Sequence, residues 1–212
     1  MRVLVFGASI TQGFWDTEGG WVNRIRRHYD TEIVKDLHKE EDYPTIFNLG
    51  ISGDTTTGLL KRLENETKAR QWSSEELVFI FSIGTNNAVV EVNGKEWSTP
   101  ELYRRELLAI LQKAKEFSNK ILFVGLASCE EDKTTPVFWA DIHYTNSKIF
   151  EFEKVMREVA KENHIPHVPI FEALQGKINA GEKVFADGLH PNNAGHELIY
   201  QLVKPELDKL IT

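Results

Sequence analysis

The chain has 212 residues, 41% of them hydrophobic and 27% charged, which excludes a disordered chain and leaves material for a sizeable core. A net charge of −7 without any Lys/Arg-rich run argues against nucleic acid or an anionic membrane as the main partner. The lone cysteine, Cys129, excludes an internal disulfide and a cysteine-built metal site; the expectation for it is a small buried thiol.

Only Arg2 precedes the first apolar residues, and Val3–Phe6 is far shorter than the apolar region of a signal peptide. No apolar stretch approaches the ~20 residues that span a bilayer, so a cytoplasmic protein is expected. Val3–Phe6 reads as a buried strand, and the glycine-bounded stretch Gly7-Ala8-Ser9-Ile10-Thr11-Gln12-Gly13 follows it. Trp21, Ile25 and Tyr29 then recur at helical spacing. Ile46–Leu49 is a second strand and runs into Gly50-Ile51-Ser52-Gly53-Asp54-Thr55. Leu59, Leu60 and Leu63 share a helical face, and Leu77–Ile83 is a third strand ending at Gly84-Thr85-Asn86-Asn87. Ser98 or Thr99 before Pro100 predicts a helix start with proline in the first position. Leu102, Leu107, Leu108, Leu111 and Ala114 continue that helix. Ile121–Leu126 is a fourth strand, and Ile149, Phe152, Val155, Met156 and Val159 form a further helical face. His167–Ile170 is a fifth strand. Leu198, Ile199, Leu202, Leu207 and Leu210 predict a last helix, with a kink or break at Pro205.

Strands alternating with helices, with no internal repeat and no linker, imply one α/β domain over residues 1–212 with a mostly parallel sheet covered on both faces. In such sheets, sites form at the carboxyl ends of strands. Ser9 has two readings there: a helix cap, or a nucleophile awaiting a base. Gly53 is either a turn residue or a backbone N–H donor to an oxyanion. Asn86 is either a cap or a side-chain donor to the same charge. Asp187-Gly188-Leu189-His190-Pro191 precedes the last helix. It is either an incidental surface loop or a carboxylate orienting an imidazole toward the serine. His190 and His196 fall on different helix faces, which disfavours a metal site. His28, His38, His143, His164 and His167 carry no motif. Asp16, Glu130, Glu131 and Asp132 are expected on solvated loops. Residues 88–99 and 128–146 are long enough to shape a pocket. Trp139 in the second of these, and Trp15 after the nucleophile turn, are candidates for contacting substrate.

Taken together, four segments resemble the conserved blocks of the SGNH hydrolases, also called the GDSL esterase/lipase family. Gly7-Ala8-Ser9-Ile10-Thr11 resembles the first block. Asn48-Leu49-Gly50-Ile51-Ser52-Gly53 resembles the second, Gly84-Thr85-Asn86-Asn87 the third and Asp187-Gly188-Leu189-His190-Pro191 the fifth. They occur in order across nearly the whole chain. The resemblance implies a flavodoxin-like three-layer α/β/α sandwich with five parallel strands. It implies Ser9 as nucleophile, His190 as base and Asp187 as its orienting acid, with the Ser9 N–H, the Gly53 N–H and the Asn86 side chain as an oxyanion hole. It further implies hydrolysis of small-molecule carboxylic esters without metal or cofactor. A small acyl group such as acetyl is preferred, because no long apolar groove is evident. Two positions depart from the pattern: Ala8 and Asn87 stand where the family usually has aspartate. They keep a second reading open, a non-catalytic module of the same fold that binds a small ligand or a protein. A nucleotide-binding flavodoxin-like protein is disfavoured, since no Gly-rich phosphate loop follows any strand.

Overall fold

Along the first strand, Val3 and Val5 face one side and Leu4 and Phe6 the other, and all four are fully buried. A strand buried on both faces needs helices on both, and the computed structural model, which describes residues 1–35, 37 and 43–211, supplies them. In chain order the elements begin with β1 (Arg2–Gly7), α1 (Ser9–Gln12), α2 (Gly20–Ile33), β2 (Thr45–Gly50), α3 (Thr56–Lys68) and β3 (Leu77–Ser82). A 3-10 turn (Thr85–Ala88), β4 (Val90–Glu91), α4 (Pro100–Lys115), β5 (Ile121–Val124), α5 (Glu131–Thr134) and β6 (Ile142–His143) follow. The chain finishes with α6 (Asn146–Glu162), β7 (His167–Val168), α7 (Phe171–Asn179) and α8 (Asn193–Ile211).

Five strands pair in parallel in the order β2-β1-β3-β5-β7. Leu4 and Phe6 pack with Leu59 and Leu63 of α3, Leu107 and Ile110 of α4, and Phe152 of α6. Val3 and Val5 pack with Trp21 and Ile25 of α2, Leu174 of α7, and Ile199 and Val203 of α8. This is the expected three-layer sandwich. The strand order reverses between β1 and β3, and a crevice opens at the carboxyl ends of the strands at such a switch point. Ser9 follows β1 there, and Asn86 follows β3.

The predicted proline-led helix start holds: Thr99 Oγ1 accepts from the Leu102 N–H at 3.2 Å, and Pro100 opens α4. Of the kink or break expected at Pro205, a break does not occur, and α8 runs through the proline. Ile199, Val203 and Leu207 flank the proline and are fully buried, and their packing offsets the hydrogen bond that proline removes. The short α7 has no counterpart among the predicted elements, because only Phe171 and Leu174 of its nine residues are buried. The two long loops are joined rather than independent: β4 and β6 pair antiparallel, Val90 opposite His143. Among the described residues no helix is long and apolar enough to cross a membrane.

Candidate active site

Ser9 is not a helix cap. Ala8 takes the cap position and Ser9 opens the single turn of α1. Its hydroxyl lies 2.9 Å from His190 Nε2, and His190 Nδ1 lies 2.7 Å from Asp187 Oδ2. Asp187 Oδ1 accepts the backbone N–H groups of Leu189 at 3.0 Å and His190 at 2.7 Å. Burial by itself raises the pKa of Asp187. The hydrogen bonds from the His190 ring and from the two backbone donors outweigh it and hold the carboxyl well below the usual carboxylate range. An ionised Asp187 only accepts, so Nδ1 carries the imidazole proton and Nε2 is left to accept from the Ser9 hydroxyl. The sequence separates Ser9 from His190 by 181 positions, and the fold closes that distance to one hydrogen bond.

Of the predicted oxyanion donors, Asn86 lines the same cavity as Ser9. Gly53 has φ +77°, and nothing lies within 4 Å of a Cβ built on it. Its glycine is therefore required by backbone conformation and not by lack of room. Asn86 Nδ2 donates to the Asp54 carbonyl at 2.8 Å, and Asn86 Oδ1 accepts from the Tyr144 hydroxyl at 2.9 Å. Both bonds fix the amide plane, and an amide nitrogen has two hydrogens, so one remains to donate. Tyr144 had no signal of its own in the sequence beyond lying in a long aromatic loop.

Neither departure from the family pattern leaves a gap. Ala8 is buried in the core, and the turn is braced from other elements. Arg62 donates to the Gly7 carbonyl at 3.2 Å and the Leu49 carbonyl at 2.9 Å, and Asn48 Nδ2 donates to the Thr11 carbonyl at 2.8 Å. Asn87 Oδ1 accepts the Thr56 N–H at 3.2 Å, and Asn87 Nδ2 donates to Thr56 Oγ1 at 2.8 Å. The Thr56 hydroxyl in turn donates to the buried Glu106 carboxylate. Glu106 thus already supplies a carboxylate to this network. An aspartate at 87 could not donate to Thr56 and would add a second carboxylate. Asn87→Asp should therefore destabilise the fold by about 1–3 kcal/mol at neutral pH, read by denaturant melts.

Trp139 and Phe14 have ring centroids 5.7 Å from that of His190, and Trp15 stands edge-on at 6.2 Å. Trp139 and Phe138 are exposed beside the site, as a substrate contact requires. Trp15 does something the sequence did not suggest: its indole nitrogen donates to Asp187 Oδ2 at 2.8 Å. A small, partly open cavity of about 20 Å³ adjoins the serine, lined by Ser9, Ile10, Thr85, Asn86, Ala127 and Leu189 among others. A wider, open cleft is lined by Asp187 together with Trp15, Asp132, Lys133, Pro136 and Phe138.

Several expectations for single residues change or hold. Asp16 is not on a solvated loop: it is 8% exposed and paired with Arg24. His196 is fully buried, accepting the Trp21 N–H and donating to the Phe14 carbonyl. Cys129 is buried as expected, and burial pushes its thiol up to about 11. His38 lies outside the described residues. Among the described residues, no group of three or more His, Cys, Asp or Glu side chains could hold a metal ion.

The chain belongs to the GDSL-like lipase/acylhydrolase family, whose model matches residues 5–198. It is 24% identical over 224 residues to the isoamyl acetate-hydrolyzing esterase 1 homolog of Mus musculus, covering 100% of this chain and 83% of that one. Among solved structures it is similar to a lipase/acylhydrolase from Enterococcus faecalis, with a TM-score of 0.75 at 23% identity over 98% of this chain and 95% of that one. The acetyl xylan esterase AlAXEase superposes with a TM-score of 0.75 at 17% identity, over 98% of this chain and 100% of the other.

Proposed function

We propose that the chain is a serine esterase that works through an acyl-enzyme and prefers a small acyl group. The observation that carries the mechanism is the unbroken hydrogen-bonded chain from Ser9 Oγ through His190 to Asp187. Ser9 Oγ attacks the ester carbonyl while His190 Nε2 takes its proton. The carbonyl oxygen gains the negative charge, within reach of the Ser9 and Gly53 N–H groups and the free hydrogen of Asn86 Nδ2. The C–O bond to the alcohol breaks as His190 returns the proton to the leaving oxygen. Water, deprotonated by the same nitrogen, then attacks the acyl-enzyme and releases the acid. Asp187, held below the usual carboxylate range, stays ionised through this cycle. His190 Nε2 serves as the base only while it carries no proton of its own.

The small-acyl preference rests on the cavity beside Ser9. At about 20 Å³ it has room for one water-sized group, which a methyl matches and a longer chain does not. The mouse relative, named for an acetate ester, is in keeping with this reading. A series of p-nitrophenyl esters tests it. kcat/KM should fall at least about tenfold from acetate to butyrate, since the added methylenes outgrow the cavity beside Ser9. A value that rises with chain length contradicts the small-acyl reading.

A further inference from the structure

Three buried or half-buried polar side chains that the acyl transfer does not use, Asp16, Arg24 and His196, all converge on one short loop. Asp16 accepts the backbone N–H groups of Glu18 at 3.1 Å and Gly20 at 3.0 Å, and Arg24 pairs with both its oxygens. Arg24 also reaches Glu197 on α8 at 2.7 Å. His196 Nε2 donates to the Phe14 carbonyl at 2.8 Å. Gly13 and Gly20 close the loop by backbone contact. A Cβ on Gly20 would lie 2.4 Å from Gly13 Cα, and one on Gly13, at φ +104°, would lie 2.4 Å from the Gly19 carbonyl oxygen. All of this fixes the backbone on either side of Trp15.

Trp15 itself is 58% exposed, which is unusual for a residue anchored so firmly on both sides. Its one polar side-chain atom is hydrogen-bonded to Asp187. Oδ1 of that carboxylate is held by two backbone N–H groups, whereas Oδ2 is held only by side chains: His190 Nδ1 at 2.7 Å and Trp15 Nε1 at 2.8 Å. An indole nitrogen can only donate, so this contact keeps Oδ2 an acceptor toward His190.

We propose that Trp15 is a positioning residue of the catalytic triad: its indole N–H fixes Asp187 Oδ2 against His190 Nδ1, and the Asp16–Arg24–His196 cluster exists to hold Trp15 there. The proposal rests on the Ser9–His190–Asp187 reading above. Removing the N–H leaves Oδ2 with more negative charge and more rotational freedom. The extra charge favours the protonated imidazole, and the freedom degrades its aim at Ser9.

The test replaces Trp15 with 3-benzothienylalanine, which keeps the bicyclic shape and puts sulfur where the N–H was, alongside Trp15→Phe. kcat and KM for p-nitrophenyl acetate are measured across pH, with thermal melts as the control for folding. The isostere should melt like wild type, lose roughly tenfold in kcat with KM little changed, and move the acid limb to higher pH. An unchanged acid limb and kcat, with a raised KM or none, overturns the proposal and leaves Trp15 as a substrate wall. Ser9→Ala, run in parallel, separates the two levels. If that variant keeps turnover, the triad reading itself fails. If it is inactive while the isostere matches wild type in kcat and pH profile, only the role of Trp15 fails.

Discussion

Replacing Ser9 by alanine should lower kcat for acetate esters by about 10⁴-fold or more and leave the fold unchanged. The side chain lies within the site, and among the described residues its hydroxyl has one hydrogen-bond partner, His190 Nε2. The turn does not depend on that hydroxyl. Gln12 N–H still reaches the Ala8 carbonyl at 2.9 Å, and Gly13 N–H the Ser9 carbonyl at 3.0 Å. Alanine is also the better helix former at the start of α1. Far-UV circular dichroism and a melting curve matching wild type, beside absent turnover, are the expected pair of results. Substantial residual turnover would mean that another group attacks the ester.

Asp187→Asn should cost about 10⁴-fold in kcat, and the geometry says why. An amide has one acceptor and one donor where the carboxylate has two acceptors. Two backbone N–H groups point at Oδ1, so the amide oxygen must take that position and the NH₂ must face His190. His190 Nδ1 then becomes the acceptor, and its proton moves to Nε2, where it points at Ser9 Oγ and cannot take a proton from it. The same exchange has a stability signature. The pKa of Asp187 is depressed in the folded state, so its contribution is present above the unfolded carboxylate pKa and is lost as pH falls through the folded value. The stability gap between wild type and the variant should therefore narrow on acidification, read from denaturant midpoints across pH.

The strands, and the candidate residues at their ends, were legible because they are local. Val3–Phe6, Leu77–Ile83 and Ile121–Leu126 are continuous apolar runs, and a strand buried on both faces can look no other way. Ser9, Gly53 and Asn86 follow such runs directly, where a parallel sheet puts its ligands. What escaped the sequence depends on chain segments meeting at long range. Trp15 and Asp187 are 172 positions apart, and Tyr144 and Asn86 are 58 apart, so no spacing rule could link them. Asp16 looked like a loop acid because its partner, Arg24, comes one helix turn into α2 and pairs only once the loop has closed. At Pro205 a local rule predicted a kink or a break, and α8 runs on unbroken with Ile199, Val203 and Leu207 buried. The departures at Ala8 and Asn87 belong with these. Their compensation comes from Arg62, Thr56 and Glu106, none of them adjacent in sequence.

The most direct measurement is covalent labelling with a fluorophosphonate, which phosphonylates only a serine activated by a neighbouring base. The labelled protein is digested and the adduct located by mass spectrometry. One adduct per chain on the peptide containing Ser9, lost in His190→Ala, is the predicted result. An unlabelled Ser9 in folded protein, or an adduct on another residue, would contradict the assignment of Ser9 as the nucleophile.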